Sequence, residues 1–158
     1  MKRSIGVLAL VTVLAGAGPA AAQEKGFGLG VIIGEPTGLS GKLWQSRSTA
    51  FDFGAAWSFV DEDAFHIHFD LLMHKFDVIR VDSGKLPVYY GLGARVKFAE
   101  DGNGDQDTSV GIRFPVGLDY LFAGAPLDLF VELVPILDIA PQTDVSLNAS
   151  LGFRYWFH

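Results

Sequence analysis

Large apolar side chains occupy every second position in eight successive segments between residue 26 and the end of the chain. Successive side chains of a β-strand point to opposite faces, so this period of two predicts strands with one apolar and one polar face. Turn-forming residues separate the segments at 35–37, 45–48, 60–64, 76–85, 99–108, 123–126 and 137–144. Eight consecutive strands with short connections predict an all-β fold, an eight-stranded antiparallel up-and-down barrel.

The width of such a barrel decides which face points inward. An eight-stranded barrel is only just wide enough for side chains to fill its interior, so about forty large apolar groups do not fit inside. The opposite face is rich in glycine and carries equal numbers of acidic and basic residues: Asp52, Asp70, Asp119, Asp128 and Glu132 against Lys42, Arg95, Lys97, Arg113 and Arg154. Because buried charges are tolerated when they are paired, this face predicts a charge network in the lumen.

The apolar face then points outward. In water it would expose far more apolar surface than a soluble monomer tolerates. In a bilayer, the same pattern of apolar side chains outside and polar side chains inside is that of a transmembrane β-barrel. Aromatic residues lie near both ends of the strands, where interfacial girdles are expected: Trp57, Phe59 and Phe65 at one end, and Tyr120, Phe122, Tyr155 and Phe157 at the other.

Residues 1–22 have the features of a secretory signal peptide. Lys2 and Arg3 precede a short apolar run, and three alanines, Ala20 to Ala22, end it. The run is shorter than the roughly 20 residues of a spanning helix. We therefore expect a signal peptide over 1–22 and one barrel domain over 23–158.

Composition excludes several classes of function. Without Lys2 and Arg3, the remaining chain carries 10 basic and 18 acidic residues, a net charge of −8, which argues against a nucleic-acid partner. The chain contains no cysteine. Disulfides, thiol catalysis, cysteine zinc sites and a lipid-modified cysteine are therefore excluded.

The last predicted strand, S-L-G-F-R-Y-W-F, resembles the C-terminal assembly signal of bacterial outer-membrane proteins, with Gly152, Tyr155 and Phe157 at its constrained positions. Such chains usually end on the aromatic residue, whereas His158 follows here. The chain as a whole resembles small barrels of the OmpA membrane-domain and OmpX type. The stretches G-V-I-I-G-E-P-T-G-L-S-G-K-L-W, L-P-V-Y-Y-G-L-G and P-L-D-L-F-V-E are similar to a little-characterised family of predicted outer-membrane barrels of unknown function. These resemblances imply a bacterial outer-membrane location, with membrane lipid and the assembly machinery as partners, and they imply no catalytic residues.

Residues 65–70 read FHIHFD, which gives His66, His68 and Asp70 the H-x-H-x-D spacing that many metal-dependent hydrolases use for zinc. The two histidines lie about 6 to 7 Å apart along one strand face, so both are able to reach one metal ion. The hydrolase motif continues with a second histidine, where this chain has Leu71.

The same letters also describe the polar face of the fourth strand. In that interpretation Asp70 pairs with Lys97 or Arg95 in the lumen, and Asp128 pairs with Arg154. This lumenal network is our prediction, with no cofactor, and a metal site at His66, His68 and Asp70 is the alternative.

An even number of strands puts both termini on one side, which in the outer membrane is the periplasm. The sequence predicts a non-enzymatic barrel with a structural or surface-interaction role, a filled lumen and no large pore. A surface partner outside the cell is expected without a known identity. The alternatives are a small-ligand or metal-binding barrel and a soluble lipocalin-like carrier with its apolar face inward.

Overall fold

The computed structural model describes residues 25–59, 64–100 and 103–157. The expected signal peptide, His158 and most of the 60–64 turn lie outside these ranges. The described chain forms nine antiparallel strands: β1 (Phe27–Glu35), β2 (Thr37–Trp44), β3 (Thr49–Ser58), β4 (Ala64–Lys75), β5 (Val88–Glu100), β6 (Gln106–Arg113), β7 (Val116–Leu121), β8 (Leu127–Ala140) and β9 (Asp144–Phe157). Across the same ranges, no helix is long and apolar enough to cross a membrane.

The strands close into a ring. From β1 to β6, each strand pairs with the next one along the chain. Both β6 and β7 pair with β8, and β8 pairs with β9. The first and last strands also pair, from Phe27 opposite Phe157 to Glu35 opposite Ala149. We call the end with Phe27 and Phe157 the terminal end of the barrel, and the end with Pro36 the far end. The predicted all-β antiparallel barrel is confirmed.

One predicted strand, 110–122, is divided in the structure. β6 and β7 both lie between β5 and β8, and the register on either side continues unchanged across Phe114 and Pro115. Pro115 has no N–H to donate, but its carbonyl accepts a hydrogen bond from Gly91 N, and Phe114 N donates to the Pro135 carbonyl. Because proline removes a ladder hydrogen bond, the strand is interrupted without leaving the wall. The ring therefore has eight positions, as the alternation predicted.

Side chains are sorted between the two faces as expected for an apolar exterior. Ile33 is 57% exposed on the outside, whereas Asp128 is fully buried inside. The large apolar residues that are exposed come from all parts of the ring. An apolar band thus surrounds a polar lumen.

The far ends of β8 and β9 differ from the sequence-based expectation, whereas β4 ends at Lys75, just before the predicted 76–85 turn. The large apolar residue Leu72 lies on the inner face of β4, and the strand alternates regularly between its two faces to Lys75. At the far end, β8 and β9 continue through most of the predicted 137–144 turn and leave only Pro141–Thr143 as a connection. Asp138 therefore lies on the inner face of β8, where it is buried.

Candidate functional site: the charged lumen

Arg154 is the centre of the largest ion cluster in the lumen. Its Nε donates to both oxygens of Asp128 at 3.1 and 3.0 Å, and one terminal nitrogen donates to Asp52 Oδ2 at 2.7 Å. The other terminal nitrogen lies 3.5 Å from Asp119 Oδ2. Phe130 lies 4.1 Å below the guanidinium carbon, a cation–π contact. The predicted Asp128–Arg154 pair is present, and the planar, five-donor guanidinium holds two further carboxylates.

Lys42 completes this group. Its Nζ donates to Asp119 Oδ2 at 2.6 Å and lies 2.8 Å from His74 Nε2, and it also faces the ring of Trp44 at 4.8 Å. His74 was not among the residues predicted for the lumen, although its position in phase with Asp70 and Leu72 indicates the inner face. We call Arg154, Lys42, Asp52, Asp119 and Asp128 the Arg154 cluster.

A second group surrounds Arg113. Its Nε donates to both oxygens of Asp70 at 3.0 and 3.1 Å, and one terminal nitrogen lies 3.5 Å from Glu132 Oε1. Tyr89 Oη donates to Glu132 Oε2 at 2.7 Å. We call Arg113, Asp70 and Glu132 the Arg113 cluster.

The predicted pairing of Asp70 with Lys97 or Arg95 is wrong. Strands of a barrel are tilted to its axis, so the register between neighbouring strands does not by itself show which side chains meet when their strands are two positions apart. Asp70 has Gly93 as its partner on β5, and Gly93 lies opposite Arg113 on β6. A glycine at 93 leaves the space through which the arginine reaches the aspartate, since a side chain there would collide with Asp70.

Arg95 pairs with Asp138 instead, at 2.9 and 2.8 Å to the two carboxylate oxygens. Asp138 was not among the predicted network residues because the sequence assigned 137–144 to a turn. Pro135 interrupts the alternation of the outward residues Val131, Leu133 and Ile139, so the sequence did not indicate that the strand continues to Ala140. Lys97 lies further toward the far end and is half-buried.

The two histidines of FHIHFD both point into the lumen. His66 lies opposite Ala56 and Lys97, and His68 lies opposite Gly54 and Arg95. Their rings meet edge to face with centroids 6.1 Å apart. Both ring nitrogens of His66 and Nδ1 of His68 are buried without a hydrogen-bond partner.

One group of residues in the described ranges has the geometry for a metal ion, and it differs from the predicted one. Ligand atoms of Asp52, His68 and Asp70 all lie within 4.8 Å of one another, and all three residues are buried. His66 is not part of this group. Asp52 joins because it lies directly opposite Asp70 on the neighbouring strand, which the alternation alone did not reveal.

Aromatic residues close the lumen at the terminal end. Trp156 and Trp44 pack with ring centroids 6.1 Å apart, and Phe76 lies 6.4 Å from Trp44. Ala50 belongs to the same buried cluster. Trp156 Nε1 donates to Asp128 Oδ2 at 3.1 Å and so joins this aromatic plug to the Arg154 cluster.

The C-terminal motif has a local packing role. Gly152 faces inward beneath the ring of Phe130, so a side chain at 152 would collide with that ring. Tyr155 and Phe157 lie on the outer face with ring centroids 4.9 Å apart. Their spacing matches the assembly signal, whose function stays a prediction.

The comparisons with known proteins bear on the fold. No protein-family model and no curated protein matches the sequence. The N-terminal β-barrel domain of Pseudomonas aeruginosa OprF is similar in structure, with a TM-score of 0.63 and 12% sequence identity over 84% of this chain and 98% of that domain. The chain has the OprF barrel fold. At this identity the likeness shows the fold alone, which agrees with the predicted OmpA-like barrel, while the similarity to OmpX-type barrels and to a little-characterised family stays a prediction.

Proposed function

We propose that this protein is a bacterial outer-membrane β-barrel, exported by a cleaved signal peptide over 1–22, with a structural or surface-interaction role and no enzymatic activity. The observation that carries the proposal is the continuous apolar exterior around a charged interior. In water this apolar exterior would promote aggregation, whereas lipid is an apolar solvent that matches it. The fold likeness to the OprF barrel domain supports it.

The proposed orientation has both termini in the periplasm. Aromatic groups at the two ends support a transmembrane position, because such rings favour the interface between lipid and water. Trp57 packs on Phe65 at the far end, with centroids 5.1 Å apart, and Tyr120 packs on Phe122 at the terminal end, at 4.8 Å. The far end would then face outside the cell.

Cell fractionation tests this location. We expect the full-length chain to lose residues 1–22 and to appear folded in the outer-membrane fraction, extractable only with detergent. Mass spectrometry of the purified protein reports the cleavage point. Folded protein in the soluble periplasmic fraction would refute the proposal and would favour a lipocalin-like carrier.

The far end offers an acidic surface for a partner. Glu100, Asp107 and Asp144 are exposed there at or beside the strand ends. Such a rim favours basic partners, and its connections are too short for a large receptor site. We therefore propose a role in envelope integrity or in contacts with basic surface molecules.

We also propose that the lumen is closed to porin-like transport. The aromatic plug and the two ion clusters fill successive levels of a barrel whose interior is narrow. In planar bilayers containing the purified protein, we expect no large stable conductance. A porin from the same preparation procedure is the positive control, and a large open-channel current from this protein would contradict the prediction.

Binding of a small ligand in the lumen through His66 and His68 is the second candidate, favoured by the unpartnered ring nitrogens of His66 and Nδ1 of His68. The lipocalin-like alternative needs an apolar lumen. The lumen here contains four buried basic residues paired with carboxylates, which argues against it.

A further inference from the structure

We propose that Asp52, His68 and Asp70 form a binding site for one divalent transition-metal ion, with Zn²⁺ as the representative. The site differs from the set suggested by FHIHFD, because Asp52 replaces His66. It lies at the junction of the Arg154 cluster, which contains Asp52, and the Arg113 cluster, which contains Asp70. The proposed structural role of the barrel does not depend on it.

The positions of the ligand atoms suit a single ion. His68 Nε2 lies 3.8 Å from Asp52 Oδ1, and all three ligand atoms are within 4.8 Å of one another. Ligands at about 2.0 to 2.2 Å from tetrahedral zinc are about 3.3 to 3.6 Å apart. Shifts of about 1 Å, within the reach of side-chain rotation, therefore close the site around an ion and leave a fourth position for water.

The backbone around the site is built to admit the imidazole. Gly54 lies opposite His68 on β3, and a side chain at 54 would come within 2.5 Å of His68 Cε1 and 2.9 Å of its Nε2. The absence of a side chain at this position lets the ring lie across the strand toward Asp52.

Both carboxylates keep free coordination capacity. Asp52 binds Arg154 through Oδ2 and faces His68 with Oδ1. Asp70 accepts from one nitrogen, Arg113 Nε, through both of its oxygens. Since each carboxylate oxygen has two lone pairs, a metal ion and the arginine are able to share it. The two arginines would then orient the metal ligands from behind, as outer partners of metal sites commonly do.

The charge of the two clusters favours a divalent cation. The Arg154 cluster has three carboxylates and two cations, and the Arg113 cluster has two carboxylates and one cation. Each cluster thus carries one unbalanced negative charge, and one divalent ion between them neutralises both. Arg95, the register partner of His68, is already neutralised by Asp138. Excess buried charge is costly without a counter-ion.

The histidines supply a separate indication. His68 is buried, and its Nε2 faces Asp52 Oδ1 at 3.8 Å, beyond hydrogen-bond distance, so this nitrogen is available to a metal ion. Buried polar atoms in native proteins are usually paired, and exceptions call for a bound water, ion or ligand. One imidazole nitrogen with two carboxylate oxygens is a mixed donor set that zinc accepts, whereas magnesium and calcium prefer oxygen ligands alone.

The test measures Zn²⁺ binding to the tag-free mature protein folded in detergent micelles, both by titration of the folded barrel and by refolding with Zn²⁺ present. We expect one Zn²⁺ per chain, unaffected by an excess of Mg²⁺ or Ca²⁺. His68→Gln keeps both arginine–aspartate pairs and is expected to weaken binding at least about 100-fold, since even outer partners of metal ligands contribute about 10-fold to 100-fold. His66→Gln is the matched control and is expected to keep wild-type affinity.

Nuclear magnetic resonance of the histidine ring nitrogens gives a readout on the wild type alone. We expect Zn²⁺ to shift the Nε2 signal of His68 and to leave the His74 signals unchanged. This readout does not require any variant to fold. The proposal is overturned if neither procedure gives stoichiometric Zn²⁺, or if His68→Gln binds as tightly as the wild type. Equal loss of binding in His66→Gln and His68→Gln would replace the proposed set by a histidine pair.

Discussion

Replacement of Arg154 by methionine is expected to lower the free energy of unfolding by about 3 to 5 kcal/mol or more, the usual effect of breaking a buried ion pair from one side. Methionine has a similar length but no charge, so it leaves Asp52, Asp119 and Asp128 buried with Lys42 as their remaining cation. The three carboxylates then repel one another in a lumen from which water is largely displaced. The effect should exceed that of removing any one of the three carboxylate partners.

Urea unfolding of the detergent-folded barrel, followed by circular dichroism, measures this difference. Arg47→Met in the exposed turn between β2 and β3 is the matched control and should stay within about 0.5 kcal/mol of the wild type. Adding Asp52→Asn and Asp128→Asn to Arg154→Met should recover part of the loss, because fewer unpaired charges remain. A single variant as stable as the wild type would show that the cluster contributes little.

Removal of the Trp156 side chain is the second change with a large expected effect. Trp156 is buried against Trp44 and donates its N–H to Asp128. Trp156→Ala should lower the free energy of unfolding by about 3 to 5 kcal/mol, since truncation of a buried aromatic loses its contacts and leaves a cavity. The plug at the terminal end would also open.

The same unfolding measurement checks this expectation. Trp57→Ala is the matched control, because Trp57 is 48% exposed on the outer face and its removal leaves no internal cavity. Trp156→Phe separates the ring from its N–H group and should cost about 1 kcal/mol for the lost hydrogen bond in addition to a smaller packing loss. If Trp57→Ala destabilises the barrel more than Trp156→Ala does, the plug is not a main source of stability.

The alternation of side chains predicted the strands because it depends on local geometry alone, whereas the width of an eight-stranded barrel indicated which face points outward. The prediction survived even at Leu72, where an inward apolar residue blurred the pattern without moving the strand. Pro115 shows the limit: a missing N–H divided β6 from β7, yet long-range pairing on both sides kept the register. The proline caused the interruption, and pairing with β5 and β8 kept both segments in the barrel wall, so the ring still closes.

The partners inside the lumen were harder to predict. Charge balance indicated which residues face inward, but it contains no information on the tilt of the strands. Asp70 therefore pairs with Arg113, and Arg95 pairs with Asp138, instead of Asp70 pairing with Arg95. Asp128 and Arg154 were predictable because they are direct register partners across one short turn. Asp52 could be predicted as a metal ligand only from the register between β3 and β4, which places it opposite Asp70.

The pairing of β1 with β9 has a consequence for how the protein is made. These strands are the first and the last of the described chain, so the ring cannot close before β9 has been synthesised. Until the final strand is available, β1 presents an unpaired edge that is able to pair with other chains. Contacts so distant in sequence also form slowly, because the intervening loop entropy must be lost first. The chain therefore needs protection as an open sheet during its biogenesis, and truncation of β9 would leave two open edges permanently.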